Sequence, residues 1–435
     1  MTTRLPVIHR TDCRLCGVRD LELVLRLAPT PVGDAYVKAD RLHESQPTYP
    51  VDLFLCQGCG HAQLLDVVDQ DLLYGDFIYR TAISLGLVEH FQRYAEDVLR
   101  RAHPSPGALV VDIGSNDGTL LRWFKTHGLR VLGVDPAHEI AREATAAGLD
   151  TLDALFTKEL ARRIRDEHGS AAIVTANNTF ANVDALDDLT EGIRELLAPD
   201  GLFVCETGYL LDLVQQGLVD NIYHEHLSYF AVKPLEAFLR RQGLELIDVE
   251  RLPTKGGSLR AIAQRRGGPR TVAPSIGELI AREAACGLDR AESFNTLATR
   301  VTRVGTELIG FLQTLKEQGK TIAGYGASVG VTTLLYTFQL GEVLSFLIDE
   351  NPAKHHRFSP GHHLPVFPPP ELEERKPDAV VILAWRYAEP IMHKHQRYLN
   401  QGGQWIVPLP EVKVVRSVRP DRGHRPTAMA EHGLP

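Results

Sequence analysis

Two imidazoles, a carboxylate and two phenols crowd the run Asn221-Ile222-Tyr223-His224-Glu225-His226-Leu227-Ser228-Tyr229-Phe230. Such a cluster is expensive to bury without partners, but it suits proton transfer: a histidine near its ordinary pKa accepts a proton at neutral pH, and a phenol or carboxyl can orient it. If the run is extended, Tyr223 and Glu225 alternate with His224 and His226; if helical, Tyr223 and His226 share a face. A solvated turn and a metal site through His224 and His226 are the other readings of the same residues.

A second chemical signature is Val110-Val111-Asp112-Ile113-Gly114-Ser115-Asn116-Asp117-Gly118, followed by Gly133-Val134-Asp135-Pro136. An apolar strand, a glycine turn, a helix and an acid ending the next strand form a cradle for a nucleoside, with Asp135 able to bind two ribose hydroxyls. A dinucleotide needs a glycine where Asn116 stands, because its pyrophosphate lies against the turn. S-adenosylmethionine has no phosphate, so the loop favours that methyl donor over NAD, with an NAD-linked oxidoreductase as the alternative of another class.

Cys13-x-x-Cys16-Gly17 and Cys56-x-x-Cys59-Gly60 are paired knuckles. Four thiolates suit a closed tetrahedral Zn²⁺ site, which staples a fold and performs no chemistry. A thioredoxin-like redox pair and an iron–sulfur centre compete with zinc, although neither cysteine pair opens a helix in a βαβ unit.

The elements that must position these groups follow from periodicity. Short strand-like pieces, Asp52–Leu55 and His61–Leu65, accompany the knuckles. Leu85, Val88, Phe91, Tyr94 and Val98 give helical spacing within 72–103. Strands at 108–113, 130–134, 148–152, 172–176 and 201–205 then alternate with helices including Thr157–His168 and Asp184–Leu197, the pattern of a doubly wound parallel sheet. Residues 244–252 and 258–265 read as an antiparallel pair at its edge, and Ile276–Gln318 reads as helix. A second Rossmann-like series follows at Thr321–Gly324, Val343–Ile348, Ala379–Ala384 and Trp405–Val407, with Asp349 ending its second strand. The expected fold class is therefore α/β: a Rossmann-like methyltransferase domain over 73–270, a small zinc domain over 1–72, a second Rossmann-like domain over 271–415, and a mobile tail over 416–435.

A net charge of −8 argues against nucleic-acid binding driven by phosphate neutralisation. No apolar run is long enough for a membrane span or a signal peptide, so the expected setting is the cytoplasm, with no membrane partner. The expected partner is a small molecule, and the chain is expected to act as a monomer or homodimer.

The knuckles, Tyr79-Arg80-Thr81, Ala176-Asn177-Asn178, Asn221–Phe230, Gly256-Gly257-Ser258-Leu259-Arg260 and Gly324-Tyr325-Gly326-Ala327 occur in one order. In this the chain resembles the bacterial sugar C-methyltransferases, three-domain zinc proteins that methylate nucleotide-linked 4-keto-deoxysugars with S-adenosylmethionine. The resemblance spans about residues 10–415 and rests chiefly on the Ile222–Phe230 string. It implies loss of a proton from carbon beside a ketone, with His226 as general base and Tyr223 and Glu225 supporting it or orienting the sugar. It further implies a nucleoside diphosphate carrier such as dTDP, held by the third domain. Asp112, Gly114, Ser115, Asn116, Asp135 and Asn177 are the expected donor contacts, with Ser84 added by resemblance alone. Tyr79, Asn178, Asn182 and His224 are the expected substrate contacts. Asp153 and Phe156 could bracket an adenine, but an ordinary strand-end acid and core phenylalanine are the plainer reading. Two departures stand out: Asn182 replaces a histidine, and Ser328-Val329-Gly330-Val331-Thr332 lacks a lysine. Both leave room for another enolisable acceptor, or for an O- or N-acceptor. Lys255-Gly256-Gly257-Ser258 is a glycine-rich turn that could hold a phosphate, but joining two strands is the plainer reading.

Overall fold

The computed structural model describes residues 6–74, 79–83 and 86–416. Ser84 and the tail beyond Arg416 lie outside the described residues.

The cysteine region contributes β1 (Val7–His9), β2 (Leu21–Leu25), β3 (Leu53–Cys56), β4 (Ala62–Leu64) and β5 (Asp66–Val68). Strands β2, β3 and β4 pair antiparallel, and β1 pairs with β5. The knuckles close alike: Gly17 N–H donates to the Cys13 carbonyl at 2.8 Å, and Gly60 N–H to the Cys56 carbonyl at 2.8 Å.

The next strands are β6 (Leu109–Ile113), β7 (Arg130–Asp135), β8 (Thr151–Asp153), β9 (Ala171–Asn177) and β10 (Leu197–Gly208). They run parallel because each is followed by a crossover helix, including Thr119–Thr126, His138–Ala146, Lys158–His168 and Leu186–Leu196. Every residue of β6 is buried, as a strand covered on both faces requires. On one face Phe91, Tyr94 and Val98 of the helix Leu87–Ala102 pack against Val110, Ile173 and Val204. The expected strand over 148–152 is shorter and displaced: β8 pairs with β7 only from Thr151 to Asp153, and the Thr151 N–H goes to the Thr145 hydroxyl.

β11 (Ser228–Tyr229) leaves this region and pairs with β4 of the cysteine sheet. β12 (Leu244–Leu252) and β13 (Ser258–Arg265) then return antiparallel, giving a seven-stranded sheet ordered β12-β13-β10-β9-β6-β7-β8.

The expected helix over 276–318 is two helices, Ser275–Ala285 and Glu292–Glu317. The break follows Cys286, where Gly287 and Arg290 form a turn that the Ser293 hydroxyl caps by donating to the Cys286 and Gly287 carbonyls. The last sheet comprises β14 (Ile322–Tyr325), β15 (Phe346–Ile348), β16 (Val366–Phe367), β17 (Ala379–Ile382), β18 (Gln404–Val407) and β19 (Lys413–Arg416), ordered β16-β15-β14-β17-β18-β19. All but β19 are parallel, so the carboxyl ends of β14 and β15 gather on one edge, as do those of β6 and β7.

Candidate active site

The four cysteine sulfurs lie within 4.8 Å of one another, the one such cluster of potential metal ligands among the described residues. Cys13 Sγ is 3.7 Å from Cys59 Sγ, and Cys16 Sγ is 3.5 Å from Cys56 Sγ. A tetrahedron with Zn–S bonds of ~2.3 Å has S–S edges of ~3.8 Å, so the thiols fit zinc with little movement. The pairing crosses the knuckles, one sulfur from each, as a closed site requires.

The turn after β6 fits a nucleoside that must approach backbone. Gly114 has φ +71°, and a Cβ there would fall 2.0 Å from Thr179 Oγ1. Asp135 ends β7 with both oxygens occupied by backbone, accepting from Asn116 N–H at 2.8 Å and Ala137 N–H at 2.9 Å. Each oxygen keeps a further lone pair for a ribose hydroxyl. Burial pushes the Asp112 carboxyl up to about 7, nearby Asp135 pushes the same way, and the Thr175 hydroxyl, donating at 2.6 Å, pulls it down. A cationic ligand would favour its ionised form.

Asn116 acts differently from expectation. Its side-chain oxygen accepts from Thr81 N–H at 2.9 Å, and its amide donates to the Tyr79 carbonyl at 3.2 Å. The Asn116 side chain thus ties the Tyr79–Thr81 segment to the turn after β6. Asn177 and Asn178 end β9 at the same edge, with Asn178 N–H donating to the Glu206 carbonyl at 2.7 Å.

Past a short 3-10 helix (Val219–Asn221), the segment 222–227 is neither strand nor helix. It is a turn closed by His226 N–H donating to the Tyr223 carbonyl at 2.9 Å, which brings both side chains to one side. His226 Nδ1 lies 2.9 Å from the Asn221 carbonyl, which can only accept, so Nδ1 carries the hydrogen. Nε2 is therefore the basic nitrogen, and the Tyr223 hydroxyl caps it at 2.8 Å. Burial lowers His226 to about 4, the Asn221 carbonyl resists, and the Lys255 charge adds to the lowering. Burial raises Glu225 to about 8, with Asp34 raising it further and Lys354 and Lys255 opposing. A neutral base and a protonated acid thus coexist at pH 7.

His224 does not join them. It is buried, 3.1 Å through Nε2 from the Tyr49 carbonyl and edge-on to the Tyr49 ring, off the cavity that Tyr223, Glu225 and His226 line. The Tyr49 carbonyl and ring hold it away from the cavity, which turns the expected substrate contact into a packing residue.

The cavity measures about 730 Å³ and joins all three parts of the chain. Tyr79, Asn178 and Asn182 line it, as do the cradle residues Asp112, Gly114, Ser115, Asn116, Asp135 and Asn177. Phe156 contributes to the wall near the cradle, while Asp153 is engaged by His138 outside it. The last domain adds Lys354, paired with Asp34 at 2.6 Å, and Arg386, paired with Asp220 at 2.8 Å. Local spacing gives no hint of these pairs, whose members are remote in sequence. Lys255 is reached by a left-handed backbone (φ +52°), and its ammonium stands 5.8 Å above the Tyr79 ring. Its Lys-Gly-Gly setting was the available signal. Asp349 repeats the bracing of Asp135, accepting from Ala327 N–H at 2.6 Å and Asn351 N–H at 2.8 Å.

Fold and site together define a zinc-domain methyltransferase dependent on S-adenosylmethionine. Comparisons with known proteins agree: the model for a methyltransferase domain matches residues 87–249, that for a C-methyltransferase C-terminal domain matches 253–410, and that for the accompanying zinc binding domain matches 13–74. The C-methyltransferase NovU of Streptomyces niveus is 32% identical over 405 residues, covering 93% of this chain and 96% of that relative. The chain belongs to this C-methyltransferase family. A ubiquinone biosynthesis O-methyltransferase of Burkholderia thailandensis is 25% identical over 160 residues, 33% of this chain and 68% of its own length. A crystal structure of an S-adenosylmethionine-dependent methyltransferase from Clostridium acetobutylicum aligns with TM-score 0.34 and 12% identity, covering 45% of this chain and 96% of that one.

Proposed function

We propose that this C-methyltransferase acts on the carbon beside the ketone of a nucleotide-linked 4-keto-deoxysugar. The observation that carries the reading is the Tyr223–His226 pair, a neutral imidazole capped by a phenol, in a cavity shared by the cradle and the last domain. The cavity, at about 730 Å³, runs from the cradle residues Gly114 and Asp135 to Ser328 and Lys354 of the last domain.

In this reading His226 Nε2 takes the proton from the ring carbon, and the Asn221 carbonyl holds the imidazole as it becomes charged. The Tyr223 hydroxyl leaves the base for the ketone oxygen, where negative charge gathers, and protonated Glu225 is the second donor there. Asn182, where a histidine was expected by resemblance, cannot titrate, which leaves the proton to His226. S-adenosylmethionine, held along Gly114–Asn116, Asp112, Asp135 and Asn177, supplies an electrophilic methyl group when bound. Tyr79 and Asn178 would face the sugar, and the wall of Ser328, Asn351 and Lys354 would receive the carrier. No described helix is long and apolar enough to cross a membrane, and we place the reaction in the cytoplasm.

The test is incubation with S-adenosylmethionine and a dTDP-4-keto-deoxysugar, read by mass for one added methyl. Solvent deuterium entering beside the ketone without the donor reads the proton step alone. Methylation of oxygen or nitrogen instead of carbon, or indifference to the nucleotide carrier, overturns the substrate assignment.

A further inference from the structure

We infer that the zinc knuckle positions the base-bearing turn, and that Arg14, between the cysteine ligands Cys13 and Cys16, is the positioning residue. The inference rests on His226 being the base.

Arg14 is wholly buried at its side chain. Nε donates to Asp184 Oδ1 at 2.9 Å, and Nη1 donates to the Leu64 carbonyl on β4, to Gln63 Oε1 at 3.1 Å and, as the longest of the three, to the Leu227 carbonyl at 3.3 Å. Leu227 directly follows His226. Its carbonyl also accepts from Leu64 N–H at 3.0 Å, and its own N–H donates to the Ala181 carbonyl at 2.9 Å. Beyond it, Ser228 and Tyr229 pair with Gln63 and Ala62, and the Ser228 hydroxyl meets His61 Nε2 at 3.2 Å. Ahead of it, His224 is fixed on the Tyr49 carbonyl.

The cysteine region therefore grips the peptide on both sides of His226, while none of these bonds reaches Asp112, Gly114 or Asp135. A tetrathiolate zinc centre carries a net double negative charge, which a guanidinium in its own knuckle offsets only in part. Opening the knuckle would move that guanidinium and slacken the turn, yet leave the cradle intact. Because sub-ångström placement of a base governs proton transfer, the loss would fall on turnover and spare donor affinity.

The experiment compares Arg14→Met, Arg14→Lys and Ser228→Ala with the wild type, all full-length and zinc-loaded by metal analysis. S-adenosylhomocysteine affinity is read by calorimetry, and the His226 titration by NMR with labelled histidine, neither of which needs a sugar. Solvent-deuterium entry into the keto sugar is the third readout. We expect unchanged affinity in all, a His226 titration moved up by about one unit or more as water reaches the ring, and exchange slowed at least about tenfold in Arg14→Met. Arg14→Lys should recover part of both effects, and Ser228→Ala should show both more weakly. Wild-type titration and exchange in the zinc-loaded variants, or a parallel loss of S-adenosylhomocysteine affinity, overturns the proposal. If Arg14→Met does not fold, the other two variants decide by the same outcomes. If the wild type itself exchanges no deuterium with any keto sugar nucleotide, the substrate reading fails, and titration still judges Arg14.

Discussion

Replacing Tyr223 with Phe separates two roles for its hydroxyl. The rings of Tyr223 and His226 have centroids 4.0 Å apart, and phenylalanine keeps that packing while deleting only the donor 2.8 Å from Nε2. If the hydroxyl did no more than cap the base, its removal would free the lone pair. The cost would then be one neutral hydrogen bond, ~1 kcal/mol of stability, with turnover within about fivefold of the wild type. If it transfers to the ketone oxygen as charge develops, the loss is that of one oxyanion donor, ~2.7–4 kcal/mol or ~10²–10³ in kcat. Burial of the pair favours the larger figure, because water cannot replace the missing donor. Deuterium entry and methyl transfer should fall together, and S-adenosylhomocysteine affinity should not change. A variant that exchanges within about fivefold of wild type refutes the transfer. Wild type should also stay active as pH falls from 7 to 5 and lose activity near pH 4, since a base works only above its own pKa and burial holds His226 at about 4. A limb near the ordinary histidine value would contradict the buried geometry.

Gly114→Ala should abolish S-adenosylhomocysteine binding by calorimetry while leaving the zinc content intact, because the new Cβ collides with Thr179 Oγ1 at 2.0 Å. Glu225→Gln should keep a neutral donor and remove any loss of activity on raising pH through about 8, where the native carboxyl ionises; a basic limb that survives in a pH–rate profile would clear Glu225. His224 is buried and held near 4, so the unfolded chain binds protons below about 6.5 that the native state refuses. Stability must therefore fall as pH drops from 6.5 towards 4, by about 2 kcal/mol at pH 5 from this residue, and urea melts of His224→Gln at pH 7 and 5 should show a smaller difference than wild type. Cys16→Ser should lower zinc to well below one ion per chain and depress the melting temperature, because a tetrahedral site short of one thiolate opens to water.

The local grammar of the chain was legible because strands buried on both faces must be apolar and crossover helices must show a 3.6-residue period. The runs around Val110, Ile173 and Val204 announced the parallel sheet, and the cysteine spacing announced the metal site. The helix expected over 276–318 failed at Gly287, where a turn stabilised by Ser293 outweighed a continuing amphipathic pattern. His224 was misjudged for a related reason: five residues in a turn have no period, so the faces they show cannot be read from their order.

By itself the sequence determined the chemistry available: four thiolates at knuckle spacing, an asparagine beside a glycine turn, and an imidazole beside a phenol. Tertiary structure alone decided how that chemistry is aimed. Which nitrogen of His226 is basic depends on the Asn221 carbonyl, its pKa on burial and the Lys255 charge, and the pose of its turn on Arg14 and β4. Such contacts join residues far apart in sequence, and their energies depend on distance and desolvation, which exist only after the chain has closed on itself.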